Sequence, residues 1–451
     1  MTSSDVDIQP TLILYDDATA RRFEPFAFSR PLGEMRAGAP LIRERWEQVL
    51  GVRASGFLSR PELVAFAEFD APPPARGDAH HSLPAGAVIV NTRALPALAG
   101  AIDVRRDSAV RAWSIAGRVA AVRLTAPLSL SQLDRGEWWP PSQQSRDGAA
   151  NHDTDPDASH VSLDGLWLDE VWDLVRHLNA LLLADIPSMA DALRCRALLQ
   201  DTGSNIAVTG PHPVWLEDGA HVEPMTVFDT TLGPVLLREG ATVQAFTRVT
   251  GPCFVGKHST LSADRISGSS IGDVCRVHGE LSASILTGHS NKGHDGFVGH
   301  SVFGRWVNLG ASTVTSNLKN TYGTVALWTP DGIRDSGLQF LGTFFGDHAK
   351  TGIGLRLTTG CVLGAGANVM DAMPPKHVAP FSWGTGAPYA NFAFDKFVET
   401  ATRMMARRGV TFDATQERMW RGLHEQATQV DVRAAESARK DRSDASRHGS
   451  R

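Results

Sequence analysis

The chain has 451 residues, of which 42% are hydrophobic and 21% charged, the composition of a globular protein of two or three domains. Its net charge of −5 gives no electrostatic ground for a nucleic-acid or anionic-membrane partner, and no apolar run approaches the roughly 20 residues of a membrane span. The start, MTSSDVDIQP, lacks a signal-like stretch, and the four cysteines form no CxxC pair, so the cytoplasm is the expected compartment, with neither zinc nor disulfides.

Residues 1–185 read as an α/β region. TLILYDD (11–17), AGAVIVNTR (85–93) and RVAAVRL (118–124) are predicted strands. APLIRERWEQVL (39–50) has helical spacing, and Pro72, Pro73 and Pro74 mark 71–84 as loop. Residues 135–160 contain almost no aliphatic side chain and read as a mobile insertion. A helix is predicted over LDGLWLDEVWDLVRHLNALLLAD, with Leu168, Val171, Trp172, Val175, Leu178 and Leu182 on one face. Pro187 and Ser188 are expected to stop it and cap a linking helix over 186–204.

From about residue 205 the period becomes six. Val243, Val249, Val255 and Leu261 follow it, as do Ile271 and Val277, then Phe297, Phe303 and Leu309, then Leu357, Leu363 and Val369. An aliphatic residue at every sixth position, with small neighbours, suits a parallel β-helix whose coils have three short faces. One coil cannot bury its own aliphatics, so several must stack. Residues 318–342 break the spacing and read as an excursion from the solenoid, which is expected to span 205–375 and to end at Pro374-Pro375. A helical segment (376–424) and a disordered tail (425–451) follow.

One stretch, NKGHDGFVGH…VNLGASTVTSN, resembles the acetyltransferase site of the bifunctional N-acetylglucosamine-1-phosphate uridyltransferase/glucosamine-1-phosphate acetyltransferase family, in a divergent bacterial branch. The resemblance implies a Rossmann-like nucleotidyltransferase-type α/β domain, a left-handed β-helix of hexapeptide repeats and a homotrimer. It implies His294 as general base, Glu280 as the carboxylate beside it, and Asn308, Asn317 and Lys292 as sugar contacts, with Arg265 toward the phosphate. Ala311 and Asp347 are the implied contacts to acetyl-CoA. Two positions depart from the family: Ser282 stands where it has a phosphate-binding lysine, and Phe297 where it has a tyrosine.

The chemistry agrees with these residue types. Acetyl transfer from a thioester needs a neutral amine, and a histidine titrating near neutrality can take its proton. A carboxylate fixes the ring tautomer, backbone N–H groups can hold the oxyanion, and no metal is needed. In the first domain the family's glycine-rich triphosphate loop is replaced by LILYDDATARRFEPFAFSRP, without Gly-x-Gly. Arg21, Arg22 and Arg30 are the candidates for phosphate contacts, and Asp16 and Asp17 for Mg²⁺. The reading is an acetyl-CoA-dependent N-acetyltransferase acting on glucosamine 1-phosphate or a related amino-sugar phosphate, with possible uridylyl transfer from UTP, feeding cell-envelope synthesis. Two alternatives stay open: a sugar-phosphate nucleotidyltransferase with a structural β-helix, and a non-catalytic sugar-nucleotide-binding regulator.

Overall fold

A computed structural model describes residues 11–75, 82–100, 102, 104, 110–139, 159–198, 205–262 and 264–429. The N-terminal domain is built on a mixed six-stranded sheet. Its strand Leu12–Tyr15, second from one edge, pairs in parallel with the edge strand Gly56–Leu58 and with Val88–Asn91. Val88–Asn91 pairs antiparallel with Arg118–Arg123, which leads through Val110–Ile115 to the edge strand Ser159–Leu163. Leu12–Tyr15 is buried on both faces, which explains its unbroken apolar run. Ile13 and Tyr15 face one core with Leu58 and Ile89; Leu12 and Leu14 face another with Trp46 of the helix Ile42–Leu50.

The second part is a parallel left-handed β-helix of about ten turns. The first wall is a ten-stranded sheet from Arg196–Ala197 to His377–Val378. The second runs from Ala207–Thr209 to Val298–Gly299. The third runs from His221–Val222 to Asn291–Lys292 and continues by single bridges through Asn308 to Lys350. The period of six maps onto these walls. Val243 lies on the third, Val249 on the second, Val255 on the first and Leu261 on the third again, all fully buried. Corners take the left-handed region even at bulky residues, with φ of 59° at Val274 and 64° at Trp306. No described helix is long and apolar enough to cross a membrane.

Several sequence expectations are corrected. Phe297 is out of the interior; Val298 fills the core there. Pro187 does not stop the helix, which runs unbroken over Leu178–Ala192. Pro187 and Leu183 both lie on the exposed side, so the carbonyl freed by proline's missing N–H can be hydrated. The predicted helix over 163–185 begins instead as the strand Gly165–Trp167, antiparallel to Ala94–Pro96. A Cβ at Gly165 would meet the Leu95 carbonyl oxygen at 2.3 Å, so only glycine permits that pairing. Pro374-Pro375 does not end the solenoid either, because a further coil passes through His377–Val378 and Ser382–Gly384. Most of the insertion (140–158) and of the tail (430–451) lies outside the described residues. The described edge of the insertion is ordered, with Trp139 stacked on Tyr15 at 5.7 Å, and the last helix continues through 414–429.

The N-terminal domain lies along the first wall. Leu236, Phe254, Ile285, Val302 and Phe344 project from that wall into the same core as Trp46, Leu178 and Leu182. Phe26 meets Phe344 at 5.8 Å, and Ser270 donates a 2.6 Å hydrogen bond to the Gly38 carbonyl.

Candidate active sites

Where the third wall turns into the second, successive coils stack a corner through Phe246, Asp264, Gly279, Gly296, Ser312 and Gly354, all at positive φ. His294 is exposed beside it and Glu280 half-buried. Their corners are in contact: a Cβ at Gly279 would stand 2.9 Å from the His294 carbonyl oxygen. Arg265 approaches Glu280 at 3.9 Å, and the Ser312 hydroxyl donates to Asp295 at 2.9 Å. The structure thus brings His294, Glu280 and Arg265 to one edge, although no hydrogen bond joins the histidine ring to the carboxylate. Ala311 lies in the next coil, its carbonyl accepting from the Gly354 N–H at 2.8 Å.

The sugar contacts divide. Lys292 is 2% exposed, and its ammonium points inward to the carbonyls of His278 (2.6 Å) and His294 (2.7 Å). Burial lowers its pKa to about 8. Lys292 therefore ties two coils together beneath the corner and is not placed to touch a sugar. Asn308 lies on the third wall, where its carboxamide oxygen accepts from Asn291 at 3.1 Å. Asn317 lies at the far edge of the second wall, donating to His300 Nδ1 at 2.9 Å. Burial pushes the His300 pKa down to about 4, so its ring is neutral at pH 7 and can accept that bond. Phe297 packs against Asn317 across Gly299.

Asp347 is a correction. It is buried beneath the N-terminal domain, held by Arg30 (2.9 Å), by the Ser29 hydroxyl (2.7 Å) and by the Arg305 N–H (2.7 Å). All the charge it carries is spent on the domain interface, so no acetyl-CoA contact is left to it. Arg30 falls with it, being 1% exposed and shared between Asp347 and Glu68.

The loop after Leu12–Tyr15 is equally occupied. Asp16 accepts from the Leu32 N–H (3.0 Å) and from the hydroxyls of Ser59 and Thr92 (both 2.5 Å), and burial raises its pKa. Burial opposes the Asp17 charge too, but Arg93 at 2.7 Å and Asn91 at 2.9 Å hold its pKa below the usual value. With their oxygens so engaged the two aspartates do not present a Mg²⁺ site, and no group of three or more metal-ligating side chains occurs among the described residues. Arg21 binds the Asp16 carbonyl at 2.8 Å and the Leu133 carbonyl at 3.1 Å. The Gly136 carbonyl accepts the Ala18 N–H at 2.8 Å. Residues 133–136 thereby lie against this loop and take its Ala18 amide.

An open site does exist beside this loop. A cleft of about 490 Å³ lies past the carboxyl ends of the strands, lined by Arg22, Arg93, Arg118, Asp169 and Glu170. Its far side is the solenoid's excursion, which closes as a hairpin of Ala326–Thr329 and Gly332–Asp335 and contributes Asp331 and Arg334. Arg118 stacks on Trp167 at 4.0 Å and meets Asp169 at 2.8 Å. Arg334 is paired with Glu170, and Arg22 with Asp331. Sequence reasoning missed Arg93 and Arg118. The available signal was the position of Arg93 just past a strand end, where open α/β sheets bind ligands; the excursion's approach had no sequence signal.

Comparison with known proteins agrees with this architecture. Residues 12–192 match the family model described as sugar nucleotidyl transferase, so over that span the chain is similar to that family. The chain is 25% identical over 224 residues to the bifunctional protein GlmU of Desulfitobacterium hafniense, covering 44% of this chain and 46% of that one. It is 28% identical over 171 residues to the protein of the same name from Nitrosospira multiformis, covering 36% and 33%. A bifunctional sugar-1-phosphate nucleotidylyltransferase/acetyltransferase of Sulfurisphaera tokodaii is 33% identical over 90 residues, 20% of this chain and 22% of that one. The chain thus spans less than half the length of each of these relatives.

Proposed function

We propose that the protein is an acetyl-CoA-dependent N-acetyltransferase of an amino-sugar phosphate, working at the His294 corner of the solenoid. The observation that carries this reading is the stacking of the Glu280 corner against the His294 corner on a rigid wall, with Arg265 alongside. In the mechanism the exposed His294 ring takes the amine proton as nitrogen attacks the thioester carbonyl. The adduct collapses with cleavage of the C–S bond, the imidazolium returning the proton to the departing coenzyme A thiolate. Glu280 stabilises the resulting imidazolium across the short gap between the coils. Phe297 and Asn317, on the second wall, supply apolar and polar contacts to the sugar. Acetyl-CoA is the donor, and no metal enters this step.

For the N-terminal domain we propose binding of a phosphorylated sugar or nucleotide in the arginine-lined cleft. The specific observation favouring this is the cleft past the strand ends, which four arginines line. The first wall is covered by this domain, and the third-wall coils through Asn291, Asn308 and Lys350 by the C-terminal helices. The second wall, and an edge bearing Met225, Phe246 and Ile353 at 52%, 72% and 81% exposure, are left for other subunits. A homotrimer built on that edge is the proposed assembly, and light scattering of the active protein should give about three times 48.6 kDa. An active monomer would remove it.

The decisive experiment follows free thiol from acetyl-CoA and glucosamine 1-phosphate with the parent and His294→Ala. The expected loss is about 10²–10⁴-fold in rate with an unchanged circular dichroism spectrum. A variant keeping half the parental rate would take His294 out of the mechanism.

A further inference from the structure

The last helices lie over the third-wall coils through Asn291, Asn308 and Lys350 and leave a cavity of about 190 Å³ there. Lys350, Arg407 and Arg408 line it together with Asn308, and no carboxylate does. Arg276, which pairs with Asn291 in the neighbouring coil, adds its charge to that of Arg408. None of these four cations makes an ion pair among the described residues. The carboxylates of the adjoining interface are already neutralised: Glu68 by Arg30 at 2.9 Å and Arg305 at 3.1 Å, and Asp347 by Arg30.

The cavity's donors are also under-used. The Lys350 ammonium reaches only the His348 carbonyl, at 3.0 Å. Arg408 donates to the Asn291 carboxamide at 2.8 Å, and Asn291 in turn to Asn308, whose own amide nitrogen has no partner among the described residues. Arg407 and Arg408 directly follow the helix Phe394–Ala406, whose terminal carbonyls favour cations. That dipole explains the two arginines, but it does not explain Lys350 and Arg276 on the solenoid. Burial lowers the Lys350 pKa to about 8, so its charge is held in this place against desolvation.

We infer that this cavity is an anion site that takes a phosphate group of a small phosphorylated metabolite, with Lys350, Arg407 and Arg408 as its charge partners and Asn308 as an orienting donor. A phosphate brings nearly two negative charges and several acceptor oxygens, which match converging cations and a free amide N–H. Sugar phosphates and coenzyme A both carry such a group. The inference stands on the cation cluster and does not require His294 to be catalytic.

The test is calorimetric titration of the full chain with inorganic phosphate, pyrophosphate, coenzyme A and glucosamine 1-phosphate. The parent is compared with Lys350→Met, Arg407→Gln and Arg403→Gln. Arg403 lies on the same helix but pairs with Glu399, so its variant controls for loss of charge alone. At least one probe should bind the parent and lose about tenfold or more in affinity in the first two variants. Binding should be unchanged in the third. Loss confined to coenzyme A assigns the site to the acyl donor, and loss confined to glucosamine 1-phosphate assigns it to the acceptor. Arg407 is exposed past the helix end, so Arg407→Gln tests the site even if Lys350→Met perturbs folding. Failure of all four probes to bind, or equal affinity in parent, Lys350→Met and Arg407→Gln, overturns the inference. Binding without acetyl transfer would leave this site standing and remove the catalytic reading instead.

Discussion

At the scale of single residues, burial decides which charged groups remain available for chemistry. Lys292, Asp16, Asp17 and Arg30 all carry charge in places where a ligand contact was expected, and each is consumed by the fold. Lys292 shows the principle most directly. Its ammonium satisfies two carbonyls on successive coils, and one of those carbonyls belongs to His294. Lys292→Met would strip both partners and leave buried acceptors unpaired, a cost of about 1–3 kcal/mol. It would also free the backbone that carries the proposed base. The expected result is a lower denaturation midpoint, with kcat reduced about tenfold or more and KM nearly unchanged, since orientation of the base is lost rather than substrate contact. A fall in stability with kcat intact would show that the lysine serves the solenoid alone.

At the scale of elements, the excursion and the domain interface join what the chain order separates. The hairpin Ala326–Asp335 leaves one coil and returns to it, since the Leu341 N–H bonds back to the Asn317 carbonyl at 2.9 Å. Its outward reach sets Arg334 over the Trp172 ring at 5.5 Å, while Arg176 donates to the Ser336 carbonyl at 2.8 Å. The same two parts are locked elsewhere by Arg30 and Asp347, both buried. Asp347→Ala would leave Arg30 with only Glu68, which Arg305 also claims. Removing one partner of a buried pair typically costs about 3–5 kcal/mol. Urea unfolding of the variant should show a loss of that order, and a loss below about 1 kcal/mol would mean that the interface rests on its apolar contacts.

At the scale of the whole molecule, neither part buries its surface alone. The first wall of the solenoid supplies Phe254 and Phe344 to the N-terminal core, so the two parts form one hydrophobic cluster. Buried histidines give this assembly a pH limit. Burial lowers the pKa of His300 and His377 to about 4, and burial with Arg305 lowers that of His289 to about 3. In the unfolded chain these rings titrate near 6.5. The folded state therefore binds fewer protons than the unfolded state between about pH 4 and 6.5. Their contribution is full above pH 6.5 and is lost as the pH falls below it. Thermal melts should show Tm falling by roughly 5 °C or more between pH 7 and 5. A flat Tm across that interval would contradict this account.

How much was legible in the sequence follows from the range of the forces involved. Period six was readable because each coil repeats the same local demand, an aliphatic side chain inward at Val243, Val249, Val255 and Leu261. The strands at Leu12–Tyr15 and Val88–Asn91 were readable for a similar reason, as buried parallel strands are continuously apolar. His294 was named from the motif resemblance, not from the period of six. Tertiary structure alone decided which polar residues stay free. Asp347 and Arg30 are 317 residues apart and cancel each other's charge at an interface that neither segment announces. Arg93, Arg118 and Arg334 converge on one cleft, and Lys350, Arg407 and Arg408 on another, only because the solenoid folds back against the first domain and the last helices fold back on the solenoid. Local sequence sets which side a residue faces; pairing between charges distant in the chain depends on how whole elements dock, and that docking fixes the sites.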